Sequence, residues 1–257
     1  EVLGQGRHHT AQHHVAPLQG GVAPGVLGEV AQGHPGARSG QRERRGGDRI
    51  ALAMPSGAIR FTVDPPMLAS SETCYVGEPV ALVVAESRSL AEDAASAVDL
   101  ELEPLPAVVD ILAGLAPGAP KARLDCPDNL VAEAVIKYGD VGAAFGRAVH
   151  VVAEKFRLHK GGGHAIETRG VVARFDREEG ALVVWGNTQM PHRNKAVLVQ
   201  MLGLPESKVR VIAPDVGGAF GVKAPFHPEE LAIPAASMLL GIPLKWVEDR
   251  RENFQAT

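Results

Sequence analysis

Three glycine-rich segments carry most of the side chains that could do chemistry. They run from Gly161 to Arg169, from Gly186 to His192 and from Asp215 to Lys223. Each interrupts or follows a predicted strand. Loops at strand ends let the backbone approach a ligand closely, and glycine permits both that approach and a positive φ. We therefore expect a functional site built from these three segments.

The third segment follows a predicted strand and leads toward a helix. Its successive N–H groups could form an anion-binding nest for a phosphate or an oxo group. The alternative is that Gly217, Gly218 and Gly221 only make a tight turn. The segment is not a P-loop, because Val222 separates Gly221 from the lysine and no Ser or Thr follows.

Polar side chains in the other two segments are further candidates. The amide of Gln189 can donate and accept, which suits a ligand with an oxo or carbonyl oxygen, although a helix cap is the alternative. His164 and His192 could be bases or ligands, but a lone loop histidine is more often a surface residue. Glu167 and Arg169 are two apart, and we expect them to make structural bonds around the site.

Covalent catalysis by side chains has no support in the sequence. We find no Ser-His-Asp spacing, no paired catalytic carboxylates and no nucleophilic cysteine context. The only cysteines, Cys74 and Cys126, lie in no zinc-type spacing and are too few for a disulfide framework. The presence of only two cysteines fits a thiol-reducing compartment. We assign no catalytic residue.

The elements that must position these segments alternate between strand and helix. Helix patterns begin at Pro191 and at Pro228, and a glycine follows the last residue of each. Pro234 lies inside the second pattern, which predicts a kink or a late start. The predicted strands of this region are 149–156, 171–175, 181–185, 209–212 and 244–247.

The region before it predicts a β-α-β unit. A strand over 79–85 is followed by a helix that a capping box of Ser89 and Glu92 would start, and then by a strand over 99–103. Turn residues over 113–120 predict a linker. We predict a mixed α/β fold, with one domain over 58–118 and another over 119–257.

Residues 1–57 differ sharply from the rest. The segment is rich in Gly and Arg, and it has no Lys, no aromatic residue and no sustained apolar period. We predict that it is disordered or an out-of-frame stretch, because it cannot bury enough apolar surface to offset its backbone entropy. A metal site formed by His8, His9, His13 and His14 is the alternative.

Composition narrows the class of protein. The 257 residues allow one large domain or two ordinary ones, with 45% apolar and 22% charged residues. The formal net charge of −4 gives no electrostatic case for nucleic acid. No apolar stretch approaches the length of a membrane span and no secretory signal is present, so we expect a cytoplasmic protein without membrane contact.

Taken together, the segments resemble the large subunit of the xanthine dehydrogenase and aldehyde oxidase family. Residues 75–85, 90–95 and 103–108 resemble its hammerhead α/β domain. Thr188 and Gln189, the loop 217–221 and residues 245–251 resemble the start of its molybdenum-cofactor domain. The forms GGHAIETRG and GGAFGVK look most like the bacterial carbon monoxide dehydrogenase type. The resemblance runs from about Met67 to the end of the chain.

This resemblance implies hydroxylation of an aldehyde, a heteroaromatic or a similar small molecule with water-derived oxygen. It implies a molybdenum-molybdopterin cofactor, in the cytosine dinucleotide form. FAD and 2Fe-2S clusters would lie on partner subunits, a medium and a small one. Gln189 would hydrogen-bond an oxo ligand of the metal. The cofactor-binding residues would be Gln189, Gly217, Gly218, Ala219, Phe220 and Gly221.

The sequence also departs from the family pattern. The catalytic glutamate of the family lies beyond Thr257, and Ala224 and Pro225 stand where xanthine-type members carry a substrate-binding glutamate. We therefore expect an N-terminal fragment that is inactive alone. The alternative is a binding or assembly module that uses the hammerhead unit as a docking surface.

A geometric prediction follows from the order of the elements. The chain between Gln189 and Phe220 is predicted to run through a helix and a strand, which is a crossover connection. If the strands ending at Gly186 and Ile212 are parallel, their C-terminal loops share one sheet edge, where α/β sheets collect ligands.

Overall fold

The computed structural model describes residues 13–17, 59–61, 63, 66–135, 138–158 and 161–256. These fall into two compact units whose segments interleave in sequence. The described parts of Glu1–Ser39, Pro65–Pro104 and Gly162–Thr257 form one unit, and those of Gly40–Asp64 and Leu105–Gly161 form the other. The predicted domains are continuous in sequence, and their boundaries at 57 and 118 stay predictions.

The first unit is built on a mixed six-stranded sheet, and its fold class is the predicted mixed α/β. The strands are β1 (His13–Pro17), β2 (Leu82–Ala85), β3 (Gly170–Asp176), β4 (Ala181–Gly186), β5 (Val209–Ile212) and β6 (Leu244–Val247). Their order in the sheet is β2-β1-β6-β3-β4-β5. Four of them, β3 to β6, match the sequence prediction to within one residue at each end.

Alternation of buried and less buried residues builds the core of this sheet. In β3, Val171 and Ala173 are buried, and in β4 Leu182 and Val184 are buried, as the period of two requires. Leu244 and Trp246 of β6 join the same apolar cluster. This core fixes the register of β3 against β4, because a slip of one residue would turn the apolar side chains to the opposite face.

The described part of the first unit contains four α-helices beside these strands. They are α1 (Arg88–Ser96), α4 (Pro191–Leu202), α5 (Pro228–Leu240) and the short α6 (Arg250–Ala256), which follows β6. Gly203 and Gly241 end α4 and α5 in the left-handed conformation, as predicted. Of the two effects predicted for Pro234, the late start is wrong, because α5 begins at Pro228 and contains Pro234. The kink stays a prediction.

The start of α1 differs from the predicted capping box. Ser87, not Ser89, is the N-cap, and its hydroxyl accepts from the N–H of Leu90 at 3.3 Å. Glu92 pairs instead with Arg88 at 2.6 Å, one turn earlier on the helix. The helix therefore begins two residues earlier than the sequence prediction, because two serines at alternate positions offer the same cap chemistry.

Two predicted strands are absent from the described structure. Residues 99–103 and 149–156 run without regular secondary structure, and their apolar side chains are largely exposed. Both segments have the alternating or β-branched pattern of strands. A strand also needs a neighbour for its main-chain hydrogen bonds, and neither segment pairs with another in the part of the chain described.

Residues 1–57 are predicted to be disordered or an out-of-frame stretch, but five of them form a strand. His13–Pro17 form β1, which pairs antiparallel with β2 and parallel with β6. The sequence pattern missed β1 because a short inner strand is held by main-chain hydrogen bonds on both sides and needs no periodic apolar face. The rest of this segment, including His8 and His9, lies outside the described residues.

The second unit contains two short helices, α2 (Ile111–Gly114) and α3 (Val141–Arg147). Asp110 and Asp140 cap them, each accepting from an N–H three residues on. Arg60 forms a two-pronged ion pair with Asp128 at 3.0 and 2.8 Å. Helix α2 falls at the start of the predicted linker.

Across the described ranges, no helix has the length and apolar character needed to cross a bilayer.

Candidate functional site

Strand directions bring all three glycine-rich segments to one edge of the sheet. Strand β4 is parallel to β5, and β3 is antiparallel to both β4 and β6. The C-terminal ends of β4, β5 and β6 therefore lie at the same edge as the N-terminal end of β3. The segment before β3, the β4–α4 connection and the β5–α5 loop all start or end there.

Gln189 contacts the β5–α5 loop directly. Its side-chain Oε1 accepts from the N–H of Gly221 at 3.2 Å, and its backbone N–H donates to the carbonyl of Lys223 at 3.0 Å. The prediction that Gln189 and this loop lie on the same side of the sheet is confirmed. Because the amide oxygen is held by the loop, Nε2 is the atom with which this side chain can donate to a ligand.

The loop has a strained centre. Phe220 has φ +53°, and Gly218 and Gly221 on either side have φ +93° and +94°. A phenylalanine in the left-handed region costs about 1–3 kcal/mol, and such strain persists only where surrounding contacts enforce it. Phe220 is 79% exposed, so packing of its ring does not provide that enforcement.

Glu167 holds this loop at both ends. Its Oε2 accepts from the N–H of Gly217 and from Nζ of Lys223, each at 2.7 Å. The approach at Gly217 is so close that an added Cβ would lie 2.6 Å from the Cβ of Glu167. Partial burial opposes ionisation of Glu167, but the bonds from Lys223 and Gly217 outweigh it and lower its pKa.

Arg169 lies beneath the site in a buried ionic cluster. Its guanidinium bonds Glu229 at 2.9 Å and Glu248 at 2.6 Å, and it stacks 5.4 Å from the ring centre of Trp246. Burial alone would lower the pKa of Arg169, but the two carboxylates raise it above its usual value. The predicted structural role of Arg169 is confirmed. Its partners Glu229 and Glu248 come from distant segments, and no local pattern marks them.

A second, partly buried polar group supports the loop from the start of α5. His227 donates from its ring Nε2 to the Val222 carbonyl oxygen at 2.8 Å, and its backbone N–H donates to a carboxylate oxygen of Glu230 at 2.8 Å. Asn194 of α4 donates to Glu230 at 2.7 Å. Burial raises the pKa of Glu230 to about 7, and it is also the main cause that lowers the pKa of His227.

Behind these groups lies a cavity with room for about one water molecule. It is lined by polar side chains of all three segments and by the ring of Trp246. The Nε1 atom of Trp246 is buried beside it, without a protein partner among the described residues. Gln189 and Phe220 do not line this cavity and are exposed at the surface.

The two candidate histidines lie apart from this loop contact. His164 Nδ1 is 3.2 Å from Oδ1 of Asn253, and its ring packs edge-on against Phe254 at 4.6 Å. His192 is exposed in the first turn of α4. In the described part of the chain, no group of three or more His, Cys, Asp or Glu side chains is placed to hold a metal ion.

Comparison with known proteins places the chain within a protein family. Residues 123–257 match the family model of the molybdopterin cofactor-binding domain. The nicotine 6-hydroxylase large subunit of Paenarthrobacter nicotinovorans is 47% identical over 191 residues, which are 74% of this chain and 23% of that protein. The carbon monoxide dehydrogenase large chain of Afipia carboxidovorans is 37% identical over 204 residues, 74% of this chain and 25% of that protein.

A solved structure extends the similarity to the fold. Quinoline 2-oxidoreductase from Pseudomonas putida 86 superposes with a TM-score of 0.77 at 35% identity, covering 95% of this chain and 32% of that one. The chain thus spans about a quarter of the length of the curated relatives it matches.

Proposed function

The chain belongs to the molybdopterin cofactor-binding domain family, and from this premise we propose that it forms the part of a molybdenum hydroxylase large subunit that receives the metal end of the cofactor. The bond between Gly221 N–H and Gln189 Oε1 carries this proposal, because it joins two loops and orients the amide. The amide nitrogen is then the donor toward an oxo ligand. The cofactor residues are Gln189, Gly217, Gly218, Ala219, Phe220 and Gly221.

The residues present fit a molybdopterin group in their chemistry. The described chain offers no cluster of metal-ligating side chains, whereas molybdopterin carries its metal on its own dithiolene. The loop offers an amide donor and backbone N–H groups, which suit oxo and phosphate oxygens. When bound, the cofactor supplies the redox chemistry, and the protein supplies binding, orientation and electrostatics. We propose that the molybdopterin cofactor has the cytosine dinucleotide form.

We propose an N-heteroaromatic substrate for the complete enzyme. Two of the proteins that this chain resembles are named for nicotine and quinoline, and both of those compounds contain a pyridine-type ring. Electrons would leave through 2Fe-2S clusters and FAD on partner subunits in the cytoplasm. A relative named as a subunit of a dehydrogenase complex supports an assembly of this kind.

A segment exchange tests the proposal. Residues 123–257 replace the matching part of the nicotine 6-hydroxylase large subunit, which is produced with the other subunits of that enzyme. We expect close to one molybdenum per large subunit by elemental analysis, and a clear loss in Gln189→Ala. Gln200→Ala, an exposed glutamine on α4, is the matched control and should retain the metal.

The outcomes separate the proposal from its alternative. A folded exchange protein that binds no molybdenum contradicts a cofactor role for this chain. Equal metal content in the Gln189→Ala and wild-type exchange proteins would favour the alternative, a module that docks without touching the cofactor.

A further inference from the structure

One carboxylate oxygen closes the β5–α5 loop. The seven residues from Gly217 to Lys223 begin and end at Oε2 of Glu167, which lies 2.7 Å from the N–H of Gly217 and 2.7 Å from Nζ of Lys223. We name this arrangement of Glu167, Gly217 and Lys223 the Glu167 clasp. The backbone adds to it, since the N–H of Glu167 donates to the carbonyl of Gly217 at 3.4 Å.

Lys223 makes the clasp electrostatic. Its side chain is only 2% exposed, and a buried ammonium requires a paired charge. Glu167, which is 39% exposed, provides that charge from a position where water still reaches it. The carbonyl of Lys223 accepts from the N–H of Gln189, so the same residue also ties the loop to the β4–α4 connection.

The strain within the loop explains why a clasp is needed. Phe220 sits midway between the two clasped ends with φ +53°, and its exposed side chain does not hold it there. A strained residue relaxes when its surroundings allow, so the ends must be fixed for the centre to keep its conformation. Gly221 directly follows Phe220, so the backbone conformation at Phe220 sets the direction of the Gly221 N–H that donates to Gln189.

We propose that Glu167 is a positioning residue that holds the loop from Gly217 to Lys223 in the conformation that presents Phe220 and Gly221 to a ligand. The identity of the ligand that the loop binds rests on the proposed function, whereas the contacts of the Glu167 clasp do not. Glu167 acts through the loop, by its contacts with Gly217 and Lys223. Its removal would leave an unpaired buried ammonium at one end of the loop.

Hydrogen–deuterium exchange on the full 257-residue chain tests this directly. In Glu167→Gln, which keeps an acceptor oxygen but no charge, we expect amides of residues 217–223 to exchange at least about tenfold faster. The β3–β4 hairpin should stay within about twofold of wild type, because the opening is local. Glu206→Gln is the matched control: it breaks an exposed ion pair with Lys195, and should alter neither region.

A double variant separates positioning by charge from a general loss of stability. Glu167→Gln with Lys223→Met buries no unpaired charge, and Gln can still accept from Gly217. We expect loop exchange to return to within about threefold of wild type. A general structural loss would instead make the double variant exchange faster than the single one.

Each result bears on the clasp. Loop exchange in Glu167→Gln that stays within about twofold of wild type overturns it. If Glu167→Gln unfolds the whole first unit, the double variant decides. Fast exchange of the loop 217–223 beside a protected β3–β4 hairpin in the double variant overturns the clasp. Slow exchange of the loop in the double variant supports it. Failure of the proposed function would appear elsewhere, as an exchange protein that binds no molybdenum whatever the loop exchange shows.

Discussion

Replacing Arg169 with methionine should destabilise the first unit by about 3–5 kcal/mol, because breaking a buried ion pair leaves charge without compensation. Arg169 makes four side-chain bonds to Glu229 and Glu248, and its side chain is 6% exposed. Glu248 would keep the backbone N–H of residue 169 and the amide of Asn253. Those remaining bonds place the expected loss toward the lower end of the range.

Urea unfolding measures this loss. Both tryptophans, Trp185 and Trp246, lie in the sheet of the first unit, so their fluorescence follows its unfolding. With a slope of about 2 kcal/mol/M, a loss of 3 kcal/mol lowers the midpoint by about 1.5 M. Arg174→Met is the control in the same strand, since Arg174 is exposed, and it should change stability by less than about 0.5 kcal/mol.

The size of the loss checks the physical cause. A loss below about 1 kcal/mol in Arg169→Met would refute the argument that this cluster is stabilised by its charges.

Three further predictions use single substitutions. Ser87→Ala should lower the free energy of unfolding in urea by about 1 kcal/mol, whereas Ser89→Ala should have little effect. The reverse result would support Ser89 as the N-cap, as predicted from the sequence. Gly217→Ala should destabilise the loop through its contact with the Glu167 side chain, whereas Gly146→Ala, with open space around it in α3, should be neutral or stabilising by up to about 1 kcal/mol. Burial raises the pKa of Glu230 to about 7, so its stabilising contribution falls as pH rises from about 4.5 to 7; Glu230→Gln should flatten that part of the stability profile, and an unchanged slope would contradict it.

The sequence predicted the parts of the fold whose signals are local. The strands β3 to β6 carry apolar patterns. The helices α4 and α5 have a proline at the start and a glycine just after the end. Those features act within a few residues, so the pattern alone places the elements. The crossover between β4 and β5 then put Gln189 beside the loop of Gly221, and the structure bears this out.

The parts that were missed depend on distant partners. Residues 149–156 have the composition of a strand, but they pair with no other strand in the described chain. Conversely, β1 has a weak pattern and forms because β2 and β6 flank it. No sequence signal joins Arg169 to Glu229, 60 positions away, because that contact exists only once α5 packs on β3.

Within the site, residue types were easier to predict than roles. The amide chemistry of Gln189 and the glycines of the loop follow from their types and positions. The link from Glu167 to both Gly217 and Lys223 does not, since Glu167 lies about 50 residues from Gly217 and only the folded sheet edge brings them together.

A crystal structure of the segment-exchange protein with its cofactor bound tests the central claim most directly. The account predicts Nε2 of Gln189 within about 3.2 Å of a cofactor oxygen, with Oε1 still accepting from the N–H of Gly221. It also predicts that the backbone at Phe220 and Gly221 packs against the metal site. Two results would contradict the account: a bound cofactor from which the Gln189 side chain is turned away, or a cofactor bound beyond hydrogen-bond distance of both the β4–α4 connection and the β5–α5 loop.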